Sequence, residues 1–178
     1  MTLCHAMLCG VLLFGCAFSR VHAADDILIA DFEGDSYGDW KVEGTAFGRS
    51  SVDGLLWDPR GRRAQGLVSG VGGRRWVSSF HGGDAATGRL VSPSFELNRT
   101  HLWLRVAGGR DPKRLVVRLR VDGQVARLAT GTNSERLRTV RWDVRRWKGR
   151  RATLEVVDSA TGPWGHLLLD EVWLVNGP

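Results

Sequence analysis

Two glycine-bearing segments hold most of the residues whose types and spacing could do chemistry. The first is Phe80-His81-Gly82-Gly83-Asp84-Ala85-Ala86-Thr87-Gly88, and the second is Val157-Asp158-Ser159-Ala160-Thr161-Gly162-Pro163-Trp164-Gly165-His166. Each sets a carboxylate near an imidazole, and the second adds an indole. An indole face packs against the C–H face of a furanose or pyranose, while carboxylates and imidazoles exchange hydrogen bonds with its hydroxyls. The glycines of the first segment let a ligand approach the main chain closely. We therefore expect a sugar site where His81 to Asp84 meets Asp158 to His166. Asp84 and Asp158 would accept hydroxyl protons, His166 would donate or accept one bond, and Trp164 would offer an apolar wall. Each residue also has a structural alternative: Asp84 capping its own turn, or Trp164 and His166 bracing the fold.

A third segment is acidic. Asp31-Phe32-Glu33-Gly34-Asp35-Ser36-Tyr37-Gly38-Asp39-Trp40 places four carboxylates within nine residues, and calcium takes six to eight oxygen ligands. The spacing is not that of an EF-hand, since the sixth position is Ser36 and the twelfth Val42 where Gly and Glu are needed. The remaining metal arrangement has Glu33, just after the first strand, and Asp170, on the last, sharing one structural calcium with main-chain carbonyls. A charged turn without an ion is the alternative.

Covalent and metal catalysis find little support. Gly66-Leu67-Val68-Ser69-Gly70 departs from the nucleophile elbow G-x-S-x-G. Beyond residue 23 the histidines are His81, His101 and His166, with no H-E-x-x-H and no close pair. All three cysteines, Cys4, Cys9 and Cys16, precede residue 24, so disulfides, thiolate zinc ligands and thiol nucleophiles are excluded from the remainder. Carboxylate pairs could hydrolyse a glycoside, but nothing in the pattern selects which two would flank a bond.

The elements that must position these residues begin after a leader. Residues 1–23 carry an apolar run from Ala6 to Phe18 and end in Val21-His22-Ala23, the small-residue form of a signal-peptidase site. A secreted or periplasmic protein is expected, with lipid anchoring through Cys16 a lesser alternative. No other apolar stretch approaches the ~20 residues of a membrane-spanning helix. The remaining residues, 24–178, suit one domain and are too few for a barrel-type catalytic domain of roughly 250 residues. Net charge is +6 over 178 residues, with 22 Arg against 3 Lys. The arginines are scattered, and neither a recognition helix nor an RNA-binding signature accompanies them, so specific nucleic-acid binding is not expected.

From Ile27 onward apolar residues alternate in short runs separated by Gly, Asp, Asn and Pro, the pattern of strands packed on one face. Strands are expected at 27–32, 40–44, 76–80, 89–92, 101–106, 115–121, 125–130, 140–144, 152–157 and 166–175. Asp122-Gly123 marks a type I′ hairpin after Leu115 to Val121, with Arg118 and Arg120 turned to solvent or into a groove. About ten such strands make an all-β antiparallel sandwich of jelly-roll type. The glycine-rich stretch from Val52 to Gly73 reads as a long irregular loop or an added hairpin over that sandwich.

Taken in order, Ile29-Ala30-Asp31-Phe32-Glu33-Gly34 through Asp39-Trp40 to Phe47-Gly48, then Ser79 to Asp84 and Ser92 to Phe95, then Val157-Asp158, Trp164-Gly165-His166 and Asp170 resemble the β-sandwich modules attached to bacterial levanases and other family 32 glycoside hydrolases. Those modules include the fructan-binding family 66 carbohydrate-binding domains. The resemblance implies a non-catalytic sugar-binding jelly roll with fructan of levan type as first ligand, a structural calcium tying the first and last strands, and a separately encoded glycoside hydrolase as partner. Trp57-Asp58-Pro59 echoes a catalytic motif of the hydrolases, yet Trp57 stands where Asn would precede the acid. The competing expectations are an envelope structural or adhesion protein that uses its basic surface against anionic polymers, and a small glycan-active enzyme.

Overall fold

The computed structural model describes residues 25–57, 60, 61 and 65–177. The expected leader, with Cys16 of the lesser lipid-anchor alternative, and Arg62 and Arg63 lie outside them. Alternation of side chains across each strand gives the chain two kinds of face, and the apolar faces close on one another as two antiparallel sheets. One sheet is ordered β1 (Ile27–Ala30), β11 (Leu167–Val175), β6 (His101–Gly108), β9 (Ser134–Asp143), with β3 (Val77–Ser78) also on β11. The other is ordered β2 (Lys41–Gly44), β4 (Gly88–Val91), β10 (Arg151–Asp158), β7 (Leu115–Val121), β8 (Gln124–Ala129), with β5 (Phe95–Glu96) on β10. A short 3-10 turn, Arg145–Trp147, follows β9. The all-β antiparallel sandwich expected from the sequence is the fold observed.

The main core lies between the sheets. Leu104, Val106, Val140, Trp142, Leu167 and Leu169 from the first sheet face Leu90, Val117, Leu119, Leu154 and Val156 from the second. A smaller cluster sits outside the first sheet, where Ala107, Leu137 and Leu168 are covered by Val52, Leu56, Val68, Val71 and Trp76. The segment between Val52 and Trp76 is therefore a flap. It is pinned by a bridge between Val52 and Trp76 and another between Ser69 and Arg136, so the irregular loop expected over the sandwich has its own apolar underside.

Asp122 and Gly123 both have positive φ, 49° and 77°, as a type I′ turn requires. Arg118 and Arg120 before it do not simply face water. Both turn to the buried Glu155 on β10, Arg120 Nε at 2.7 Å and an Nη of Arg118 at 4.0 Å, with Arg89 of β4 at 3.4 Å on the same carboxylate.

Two irregularities matter for function. In β11 the register slips by one residue between Asp170 and Trp173, a bulge whose residue Glu171 takes φ 42°. The slip moves the core-facing set from Leu167 and Leu169 to Val172 and Leu174, and it leaves Asp170 and Glu171 together beneath the flap. In β9 pairing starts at Ser134, six residues ahead of the expected Val140. The first half of that strand is polar because only Leu137 has an apolar surface to meet, and that surface belongs to the flap.

Candidate functional site

The two glycine-bearing loops converge as expected. The main-chain oxygen of Asp84 accepts from Gly162 N at 3.1 Å, and a side chain at Gly165 would run into the same carbonyl, so only glycine allows this approach. Docked this way, the loops bring His166 between two carboxylates. Its Nδ1 lies 2.7 Å from Asp84 Oδ1 and its Nε2 lies 3.0 Å from Glu135 Oε1. Trp164 stacks on the imidazole at 5.9 Å with 24° between planes, and Phe80 meets it edge-on at 5.1 Å. Behind Glu135, Gln65 Nε2 donates to Oε2 at 3.3 Å, and Ser78 Oγ donates to Gln65 Oε1 at 3.3 Å. The flap thus supplies one wall. Together Gln65, Gly66, Phe80, Asp84, Glu135, Trp164 and His166 enclose a cavity of about 240 Å³.

The electrostatics follow from burial and partners. His166 is 4% exposed, and burial opposes its protonation. The hydrogen bonds and charges of Glu135 and Asp84 outweigh that cost and raise its pKa above the usual imidazole value. The protonated ring then donates to both carboxylates and fixes their directions.

Of the residues expected at a sugar site, Asp84, Trp164 and His166 line this cavity and two do not. Asp158 is 1% exposed and sits behind the loop, where Ala160 N donates to its Oδ1 at 3.3 Å. Loss of hydration pushes its pKa up to about 7, against the opposing pull of Ser79 and the Ala160 amide. A strand-end carboxylate whose side chain points inward cannot meet a ligand hydroxyl. His81 turns the other way: its ring fills the space above Gly48, its amide donates to Ala46 O at 3.1 Å, and burial lowers its pKa, with the Ser50 main chain opposing. Its geometry is that of a packed, neutral imidazole.

Glu135 was not singled out from sequence. It precedes the apolar half of β9 in a run, Ser134-Glu135-Arg136, that reads as solvated surface. The one signal was Asn133, which takes φ 57° and starts the strand early.

The pair expected to hold an ion, Glu33 and Asp170, both grip the end of the flap. Glu33 Oε1 accepts from Arg74 N at 3.0 Å and Arg75 N at 2.9 Å. Asp170 Oδ2 accepts from Gly72 N at 2.7 Å, and its Oδ1 accepts from Glu171 N at 2.8 Å. Asp170 is fully buried, and desolvation moves its pKa up to about 7 in spite of those amides; the Glu171 charge adds to the rise, and Arg105 opposes it. Among the described residues no three His, Cys, Asp or Glu side chains converge as metal ligands, so an ion here would draw its other ligands from main-chain oxygens.

No known family profile matches the chain. Over 155 residues it is 34% identical to an Aspergillus rugulosus protein described as "putative glycosyl hydrolase ecdE", with 85% of this chain aligned. The chain spans about a fifth of that relative, 21% of its length. Among solved structures it resembles the K2 cleaved adhesin domain of Lys-gingipain, with a TM-score of 0.54 and 14% identity over 87% of this chain and 100% of that one. The K3 cleaved adhesin domain of Lys-gingipain from Porphyromonas gingivalis gives 0.51 and 17%, over 84% and 99%. These likenesses are of fold: two antiparallel sheets in a sandwich. Among the described residues no helix is long and apolar enough to cross a membrane.

Proposed function

We propose that the chain is a non-catalytic carbohydrate-binding module whose site is the cavity under Trp164. The observation that carries this is the backbone of Trp164 itself. Its φ is 61°, a conformation that costs a non-glycine residue on the order of 1–3 kcal/mol and persists where surroundings over-determine it. The strain holds an indole face at the cavity mouth beside two carboxylates locked by one imidazolium. The apolar face receives the C–H side of a sugar ring, and Asp84 and Glu135 accept from its hydroxyls. No side chain in this set is an activated nucleophile, because both ring nitrogens of His166 already face carboxylates.

The likeness to one fifth of a larger protein described as a glycosyl hydrolase supports a module that works beside a catalytic domain, encoded with it or separately. Fructan of levan type is the first ligand to test, as the resemblance to levanase modules suggests, and export directed by residues 1–23 would bring the module to a polysaccharide. A calcium ion held by Glu33 and Asp170 belongs to the same reading: it would tie the flap to the first and last strands and so steady the wall that carries Gln65.

Calorimetry of the purified chain with levan oligosaccharides, widened by a glycan array, tests the function. Saturable binding that Trp164→Ala abolishes and that 0.5 M salt leaves intact supports it. Absence of binding to any glycan, or binding only to polyanions that disappears in salt, favours an envelope protein with a basic surface instead.

A further inference from the structure

Trp164 walls a second cavity, and its chemistry is opposite to that of the first. About 230 Å³ is enclosed beside Trp164 by Arg110, Asp111, Arg114 and Leu115, by Asn133, and by Ala160, Thr161 and Pro163. The floor is tightly held. Arg110 N donates to Asn133 Oδ1 at 2.7 Å, Asp111 N to Thr130 Oγ1 at 3.2 Å, and Ser159 N to Arg114 O at 2.9 Å. Asp111 spends its carboxylate locally, on the amides of Lys113 and Arg114 and on Arg114 Nε at 2.7 Å. Those bonds hold it ionised, well below the usual carboxylate range, with the Arg114 side chain the largest cause.

The cationic groups of the lining are the guanidiniums of Arg110 and Arg114. Arg114 is oriented by Asp111 through Nε, and its Nη groups make no hydrogen bond among the described residues. The Arg110 guanidinium likewise makes none. A cavity lined by spare guanidinium donors calls for an acceptor that carries charge, and a planar carboxylate matches the fork of arginine. The first cavity, which shares Trp164, presents Asp84 and Glu135, which accept from neutral hydroxyls and repel anions.

We propose that the module binds an acidic oligosaccharide: a neutral sugar ring in the Asp84–Glu135 cavity and, in the neighbouring cavity that shares Trp164, a uronate whose carboxylate pairs with Arg110 and Arg114. This rests on the sugar-binding reading of the first cavity and deepens it, because it makes a purely neutral glycan an incomplete ligand. Each volume falls below the roughly 300–1,000 Å³ of a drug-sized site and suits one ring.

The test uses the full chain without its leader and two probes, galacturonate-containing and all-neutral galactose oligosaccharides of the same length and linkage. Calorimetry at low and moderate salt is run on the native protein, on Arg110→Ala/Arg114→Ala, on Arg145→Ala/Arg146→Ala as a basic pair elsewhere, and on Trp164→Ala. The acidic probe is expected to bind about tenfold or more tightly than the neutral one. That preference should vanish in the Arg110/Arg114 variant, survive in the Arg145/Arg146 variant, and be lost with all binding in Trp164→Ala. Equal affinity for the two probes overturns the proposal while leaving the first site standing. A preference lost equally in both arginine variants overturns it in favour of general attraction to a basic surface. No binding of either probe overturns this proposal, and the reading beneath it falls with it only when levan oligosaccharides and the glycan array show no binding either.

Discussion

Replacing Asp158 by Asn should make the protein more stable at neutral pH, and the size of the gain can be worked from its burial. The carboxyl is 1% exposed, and desolvation lifts its pKa from 3.8 to about 7. The folded pKa lies above the unfolded one, so between these values the folded chain keeps a proton that the unfolded chain has released. Stability therefore falls as pH rises from about 4 towards 7, and above 7 the full penalty for a buried carboxylate is present. At about 1.4 kcal/mol per pH unit, the bound is on the order of 4 kcal/mol. Local relaxation reduces it, and half of it would move the melting temperature by roughly 4–8 °C in a domain of this size. Asn keeps the oxygen that accepts from Ala160 and removes only the charge. Thermal denaturation from pH 4 to pH 8 should show native and Asp158→Asn proteins melting together at the acid end and the variant ahead at the neutral end. Both curves should still decline with pH, because Asp170 and His166 also have raised pKa values. Parallel curves at every pH would refute the reasoning and show that Asp158 ionises in the fold without cost.

Two further outcomes are expected. If Glu33 and Asp170 hold calcium, the melting temperature should rise from chelator to millimolar calcium, by an amount that grows with free ion and is absent in Asp170→Asn. Equal melting temperatures in chelator and calcium would remove the ion from this fold. Gly131→Ala would drive a Cβ into the main-chain oxygens of Gly108 and Gly109, which carry the turn of the second cavity. Urea unfolding should show a loss of about 3 kcal/mol or more, whereas Gly123→Ala, with open space around the new Cβ but φ 77°, should cost only the left-handed backbone penalty of about 1–2 kcal/mol.

What could be read from the sequence divides along a physical line. Where one face of a strand is buried and the other wet, alternation carries the information, and β6, β7, β10 and β11 lie within a few residues of their expected places. The Asp122-Gly123 turn is equally legible, since its type depends on two residues alone. Legibility fails where a strand is covered on both faces. Ala107, Leu137 and Leu168 point away from the core and are buried by the flap, so the polar start of β9 looked like loop and took Glu135 with it. The meeting of the two glycine-bearing loops was readable from composition, but the directions of His81 and Asp158 were not. A side chain beside a glycine turn can face the cavity or the core, and the choice is made by distant partners: the Gly48 segment for His81, the Ser79 and Ala160 neighbourhood for Asp158.

Backbone strain gives an independent route to the same places. Among the described residues five non-glycine positions have φ in the left-handed region: Phe32, Asp122, Asn133, Trp164 and Glu171. Asp122 sits in a turn that demands the conformation, and Asn tolerates it well. The other three have no such excuse, being a buried aromatic, a half-buried indole and a bulged strand residue. Phe32 immediately precedes Glu33, and Glu171 immediately follows Asp170, so two of the three strained residues aim the carboxylates that grip the flap. Trp164 stands between the two cavities. Glycine would relieve the backbone at these positions but would delete the side-chain contacts made there, a buried aromatic at Phe32 among them. The strain is therefore tied to what the side chains reach: the core for Phe32, the Arg105 guanidinium 2.5 Å from Glu171, and the His166 ring beside two cavities for Trp164.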